Sequence, residues 1–206
     1  MDARRVGEHA VLVECADLAE VATAYALLRG RADQLGAVEV VPAARTVLLD
    51  GLPDPGWVVA ELSTWARDPD GASRHETGPL VEIPTRYDGP DLDEVARQWD
   101  MSTAEVIWTH QSVEYTVAFC GFAPGFAYCT GLPAGLEVAR RADPRPKVPA
   151  GSVALAGEFT SIYPSASPGG WQLIGSTEIA LWRADSDEPA LLAPGCRIRF
   201  TETRGR

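Results

Sequence analysis

The spacing of apolar and polar positions divides the chain into two regions. In the first, an apolar run at 11–13 predicts a short strand. Asp17 followed by Glu20 forms a capping-box pattern, and Leu18, Val21, Tyr25 and Leu28 then fall on one helical face. Apolar runs at 38–41 and 46–49, joined by Pro-Ala-Ala-Arg, predict a hairpin. Asp54-Pro55 opens a second helix with Val58, Leu62 and Trp65 on its inner face. The order strand, helix, strand, strand, helix predicts a small ferredoxin-like domain over residues 1–78, with two helices on one sheet. Nothing in it carries evident chemistry, which fits a packing or docking module.

A polar, turn-rich stretch at 68–78 marks the boundary, and a second domain is expected over 79–206. It begins with a strand at 80–83. Two capping-box patterns follow, Asp91 with Glu94 and Ser102 with Glu105, and predict a short helical hairpin. Leu92, Val95 and Trp99 face one way on the first helix, and Val106 and Ile107 anchor the second. Strands are expected at 115–120, 171–174, 179–182 and 196–200. Between 120 and 175 glycine and proline recur too densely for a helix, with large apolar residues between them. Many short strands separated by turn signals predict a β-barrel or sandwich, and the whole chain reads as α+β.

The chain has 206 residues, enough for a sizeable core, and is 46% hydrophobic and 23% charged, as in ordinary globular proteins. A net charge of −11 argues against nucleic acid or an anionic membrane as the main partner. No apolar run is long enough to cross a bilayer and the N-terminus carries no signal-peptide core, so a cytoplasmic location is the expectation. Cys15, Cys120, Cys129 and Cys196 show no CxxC spacing and are expected as reduced thiols. His9, His75 and His110 form no metal-ligand pattern, so no metal is expected.

No Walker A, GxGxxG, HExxH or GxSxG motif is present, which weakens the common nucleotide-hydrolase, dehydrogenase, metalloprotease and α/β-hydrolase readings. The run 121–126, Gly-Phe-Ala-Pro-Gly-Phe, reads either as a backbone cradle for a ligand or as a strand-exit turn with both phenylalanines in the core. The stronger signal is a cationic knot. Arg140, Arg141, Arg145 and Lys147 lie within eight positions, stiffened by Pro144 and Pro146, and Lys147 is the only lysine in the chain. Guanidinium forks suit carboxylates and phosphates, so the knot reads as an anion site, with a solvated loop paired to acids as the alternative. His110 stands at a helix end, where it can complement the helix C-terminus or move a proton. Glu82 lies on an apolar strand, either buried and functional or on the solvent face. Gln172, after a double glycine, would bind a substrate amide or anchor the core.

Three stretches, GFAPGFAY, RRADPRPKVPAGSVALAG and YPSASPGGWQLIG, in this order and spacing resemble the allophanate hydrolase subunit 1 family. That family takes in the PxpB component of prokaryotic 5-oxoprolinase and KipI-like kinase inhibitors, and the resemblance spans about residues 80–200. It implies a C-terminal cyclophilin-like β-barrel. It implies an ATP-dependent amidohydrolase complex, of the 5-oxoprolinase or the allophanate hydrolase and urea amidolyase type. This chain would be inactive alone within it. The implied partners are a subunit 2 homologue (PxpC-like) and a LamB/YcsF-type subunit (PxpA-like), with ATP bound by or shared with them. The site residues implied are Arg145, Lys147 and His110 in catalysis. Glu82, Arg140, Arg141, Gly151, Ser152, Tyr163 and Gln172 would bind substrate. The alternative is a non-catalytic inhibitor of a sensor histidine kinase. Prolyl isomerisation would rest on the barrel alone, and a fold does not license a function.

Overall fold

The computed structural model describes residues 2–65 and 78–203. The chain divides into two compact units, Met1–Glu76 and Thr77–Arg206. The stretch 68–78 expected as the boundary lies outside the described residues, apart from Gly78.

In the first unit β1 (Asp2–Val6), β2 (Ala10–Glu14), β3 (Glu39–Pro42) and β4 (Thr46–Asp50) form one antiparallel sheet in the order β1-β2-β4-β3. Helix α1 (Leu18–Gly30) starts where the sequence predicts, with the Asp17 carboxylate accepting from the Glu20 amide at 2.8 Å. A short α2 (Ala32–Leu35) follows, and α3 (Pro55–Trp65) is capped by Asp54, which accepts from the Trp57 amide at 3.0 Å. Val11, Val13, Val47 and Leu49 on the sheet meet Leu28 and Val58 on the helices, all at 1% exposure or less. Each such side chain withdrawn from water stabilises the fold by ~1.5–3 kcal/mol before its entropy cost. The edge strand β1 is the element that the apolar pattern misses: its residues Asp-Ala-Arg-Arg-Val have no alternation, and four of the five are exposed.

The second unit is a sheet of seven strands in the order β12-β9-β10-β7-β6-β13-β5, curled into a nearly closed barrel. Its strands are β5 (Leu80–Thr85), β6 (Tyr115–Cys120), β7 (Ala127–Thr130), β9 (Ser152–Ala156), β10 (Phe159–Ile162), β12 (Gln172–Ser176) and β13 (Arg197–Glu202). The two ends of the sheet approach each other just past β5, where Arg86 bridges to Ser176 through amide–carbonyl bonds of 2.8 and 2.7 Å. Beyond it, Gly89 donates to the Ile174 carbonyl and Asp91 to the Leu173 carbonyl. This close approach needs glycine: a Cβ on Gly89 would meet the Leu173 carbonyl oxygen at 2.3 Å. Helices α4 (Leu92–Trp99) and α5 (Thr103–Ser112) pack on β12 and β13 respectively. Ser102 and Glu105 make the expected capping box, whereas Asp91 makes no side-chain cap bond. A two-stranded ribbon, β8 (Arg145–Val148) with β11 (Ser167–Gly169), stands outside the seven-stranded sheet. Residues 179–182, expected as a strand, form only an isolated bridge from Trp182 to Ala190.

Candidate functional site

An open cleft of about 370 Å³ lies between the segment 86–90, the end of β12 and the β8 ribbon. Arg145, Lys147 and Ser152 line it, so the structure brings three of the expected site residues together. It adds three that sequence reasoning did not single out, Arg86, Asp88 and Ser176. Arg86 Nε is hydrogen-bonded to Asp88 Oδ2, Ser176 Oγ donates to Asp88 Oδ1 at 2.8 Å, and Arg86 Nη2 reaches Ser176 Oγ at 3.3 Å. Burial by itself would raise the Asp88 carboxyl, but the bonds from Ser176 and Arg86 outweigh it and hold Asp88 below the usual carboxylate range. This wall is therefore ionised and internally paired. Lys147 is exposed at the rim and makes no ion pair among the described residues.

The rest of the knot is organised by Asp91. Its Oδ1 accepts from Arg141 Nη1 at 3.0 Å and Arg145 Nη2 at 2.7 Å, and its side chain is 5% exposed. Arg145 Nη1 is buried without a hydrogen-bond partner among the described residues. Arg140 lies apart from this cluster, with its guanidinium 5.9 Å from the Trp171 ring centre. Ser152 donates to the Pro149 carbonyl at 2.8 Å, which fixes its hydroxyl at the cleft wall.

Other expected site residues do not join the cleft. Gly151 has φ +78°; its amide donates to the Tyr163 carbonyl and its carbonyl accepts from Thr177, so neither is free for a substrate ring. Tyr163 is buried beside Phe126 and Trp171 in a separate apolar cluster. The Gln172 Nε2 donates to the Ala139 carbonyl at 3.0 Å, its Oε1 is buried without a partner among the described residues, and the residue does not line the cleft. Glu82 is exposed on β5, where its neighbours Ile83 and Thr85 turn inward, so the alternation of the strand puts it on the solvent face.

His110, expected either to complement the helix end or to move a proton, lies in the core and does not line the cleft. It is 0% exposed, its Nδ1 is bonded to the Tyr87 hydroxyl at 2.8 Å, and its Nε2 to Thr160 Oγ1 at 2.9 Å. Thr160 donates onward to the Ala154 carbonyl, so the ring is neutral with its proton on Nε2 and accepts at Nδ1. It packs on Phe200 with ring centres 4.3 Å apart, and burial pushes its pKa down to about 3. The 121–126 loop also differs from both readings. The amides of Gly121, Ala123 and Phe126 bond to carbonyls within the loop, so they do not form a cradle. Phe126 is in the core as expected, but Phe122 is 63% exposed at φ +71°, a conformation rare for a bulky side chain. Cys15, Cys120, Cys129 and Cys196 are free thiols. No group of His, Cys, Asp and Glu among the described residues could hold a metal, and no described helix is long and apolar enough to cross a membrane.

A chain with this barrel topology has known counterparts. The model of the carboxyltransferase domain, subdomain C and D, matches residues 1–192, and the chain belongs to that family. Among curated proteins it is similar to the B component of 5-oxoprolinase from Escherichia coli O157:H7, 38% identical over 205 residues that cover 95% of this chain and 93% of that protein. It is 47% identical to the B component of 5-oxoprolinase from Bacillus subtilis over 124 residues, 59% of this chain and 52% of that one. Among solved structures, TTHA0988 matches with a TM-score of 0.77 and 35% identity, over 96% of this chain and 40% of that one. This chain thus spans well under half the length of that protein. The Kluyveromyces lactis urea amidolyase matches at a TM-score of 0.76 and 18% identity, over 98% of this chain and 15% of that one, which is a likeness of fold alone.

Proposed function

We propose that the chain is one component of an ATP-dependent amide-hydrolysing complex of the 5-oxoprolinase type, and that its cleft grips the carboxylate of the lactam. The observation that carries this reading is the convergence on one opening of Arg145 and of Lys147, which makes no ion pair among the described residues. The similarity to the B component of 5-oxoprolinase over nearly the whole chain supports it. An amide is a poor electrophile, and its opening develops negative charge on oxygen. Preorganised cations lower that barrier, and a carboxylate held at fixed distance positions the ring for attack. Arg145 and Lys147 supply the charge, while Ser152 and the Arg86–Asp88–Ser176 wall shape the opposite side.

The 121–126 loop, closed on its own amides, does not fit a nucleotide phosphate. ATP is bound by or shared with the partner proteins, a subunit 2 homologue and a LamB/YcsF-type subunit. We likewise read the first unit as ferredoxin-like and the second as a cyclophilin-like barrel. The sheet order β1-β2-β4-β3 under two main helices supports the first, and the seven-stranded barrel the second.

The test is reconstitution with those two partners. 5-oxoproline-dependent ATP hydrolysis and glutamate release should require all three chains. Robust glutamate release by this chain alone, or by the partners without it, would overturn the reading.

A further inference from the structure

The arginine at the centre of that cleft is not held by its own strand. Arg145 opens β8, which pairs only with β11, and that two-stranded ribbon has a register shift between Ser167 and Gly169. Two strands alone are marginally stable, so the ribbon is a poor platform for aiming a long side chain. The firm hold comes from Asp91. Its Oδ2 accepts from the Leu173 amide at 2.7 Å, and its own amide donates to the Leu173 carbonyl at 2.9 Å. Its carbonyl accepts from Val95 at 3.0 Å, where α4 begins. The carboxylate is thus fixed to the barrel wall at a residue that itself lines the cleft. From there Oδ1 reaches Arg145 Nη2 and Arg141 Nη1.

We propose that Asp91 is a positioning residue. Fastened to the wall by Leu173, it fixes the guanidinium of Arg145 through Nη2 and so sets where that positive charge stands beside the ligand's anionic group. Charge arithmetic agrees with this role. Two arginines and one carboxylate leave the triad at +1, and Lys147 adds another positive charge at the rim. The cleft therefore selects an anion although Asp91 sits among its cations. The inference rests on the reading that the cleft receives a carboxylate.

The test is a double-mutant cycle in the reconstituted complex with Asp91→Asn, Arg145→Ala and both together. Asp91→Asn should raise KM for 5-oxoproline roughly tenfold or more while kcat changes less, as expected when a gripping group loses its aim. The double variant should be no worse than Arg145→Ala alone, because Asp91 acts through Arg145. Asp91→Glu, which keeps the charge that both arginines face, is the second variant if Asp91→Asn does not fold, and it should also raise KM. Penalties that add in full, or a lowered melting temperature with KM unchanged, would make Asp91 a structural tie and overturn the proposal.

If the wild-type complex does not turn over 5-oxoproline, the functional reading fails by itself. The same cycle is then read on the isolated chain by calorimetric titration with inorganic phosphate. Binding that is lost in Arg145→Ala and weakened in Asp91→Asn supports the proposal. Binding indifferent to Asp91, or no binding by the wild-type chain, overturns it.

Discussion

Two polar clusters share the second unit and meet water differently. The Tyr87–His110–Thr160 chain runs through aromatic packing, with both ring nitrogens of His110 occupied and His110 and Thr160 fully buried. The cluster around Arg145 is open on one side, and it keeps a guanidinium donor and an amine without protein partners among the described residues. A histidine is the commoner choice for proton chemistry and an arginine pair the commoner surface ornament, yet here the histidine is the packed residue. Access to solvent separates the two clusters, and residue type does not. The buried network needs every group satisfied, whereas the open one keeps capacity for a ligand.

Substitutions can break this contrast. Arg145→Ala should give the largest effect, a fall in kcat/KM for 5-oxoproline of roughly 10²–10³-fold in the reconstituted complex, with a cooperative melt retained. Unchanged kinetics in a folded variant would remove the knot from the site. His110→Ala should act on the other side of the contrast. It leaves a cavity against Phe200 and strips partners from Tyr87 and Thr160, so urea unfolding should show a loss of about 2–4 kcal/mol. Turnover per folded molecule should stay near wild type.

The pH dependence should be smaller and equally specific. The folded pKa of His110 is depressed to about 3 from an ordinary 6.5, so the unfolded chain binds the extra proton first as pH falls. Its contribution is full above pH 6.5 and is lost on the way down to pH 3, with a slope approaching ~1.4 kcal/mol per unit. His110→Gln should flatten that part of the stability profile in urea titrations at about pH 7, 5 and 4. Lys147→Ala should have the smallest effect. An exposed amine contributes little to folding, so the melting temperature should hold while 5-oxoproline binding weakens by about 1–2 kcal/mol.

The first unit was the more legible of the two in sequence. Helices α1 and α3, the hairpin and the strand β2 follow from apolar spacing and from Asp17 and Asp54 as caps, because one face of each element is buried and the other wet. β1 escaped because an edge strand with four exposed residues has no pattern to show. In the barrel, β6 shows plainly, but β7 to β11 hide among glycines and prolines that read as loops. β9 is buried at all five positions, so alternation could not reveal it. At the site, the cationic motif led to Arg145 and Lys147, whereas Asp91 was absorbed by a capping pattern that the structure does not use. The missed Arg86, Asp88 and Ser176 become neighbours only when the two ends of the sheet approach, a separation of some ninety residues that no local window spans.

Lys147 has one more consequence. Because it is the only lysine in 206 residues, amine-directed acylating reagents find a single side chain, and it stands at the mouth of the cleft. Because acylation also removes the charge, ligand protection of Lys147 against labelling, read by mass spectrometry, would map the opening.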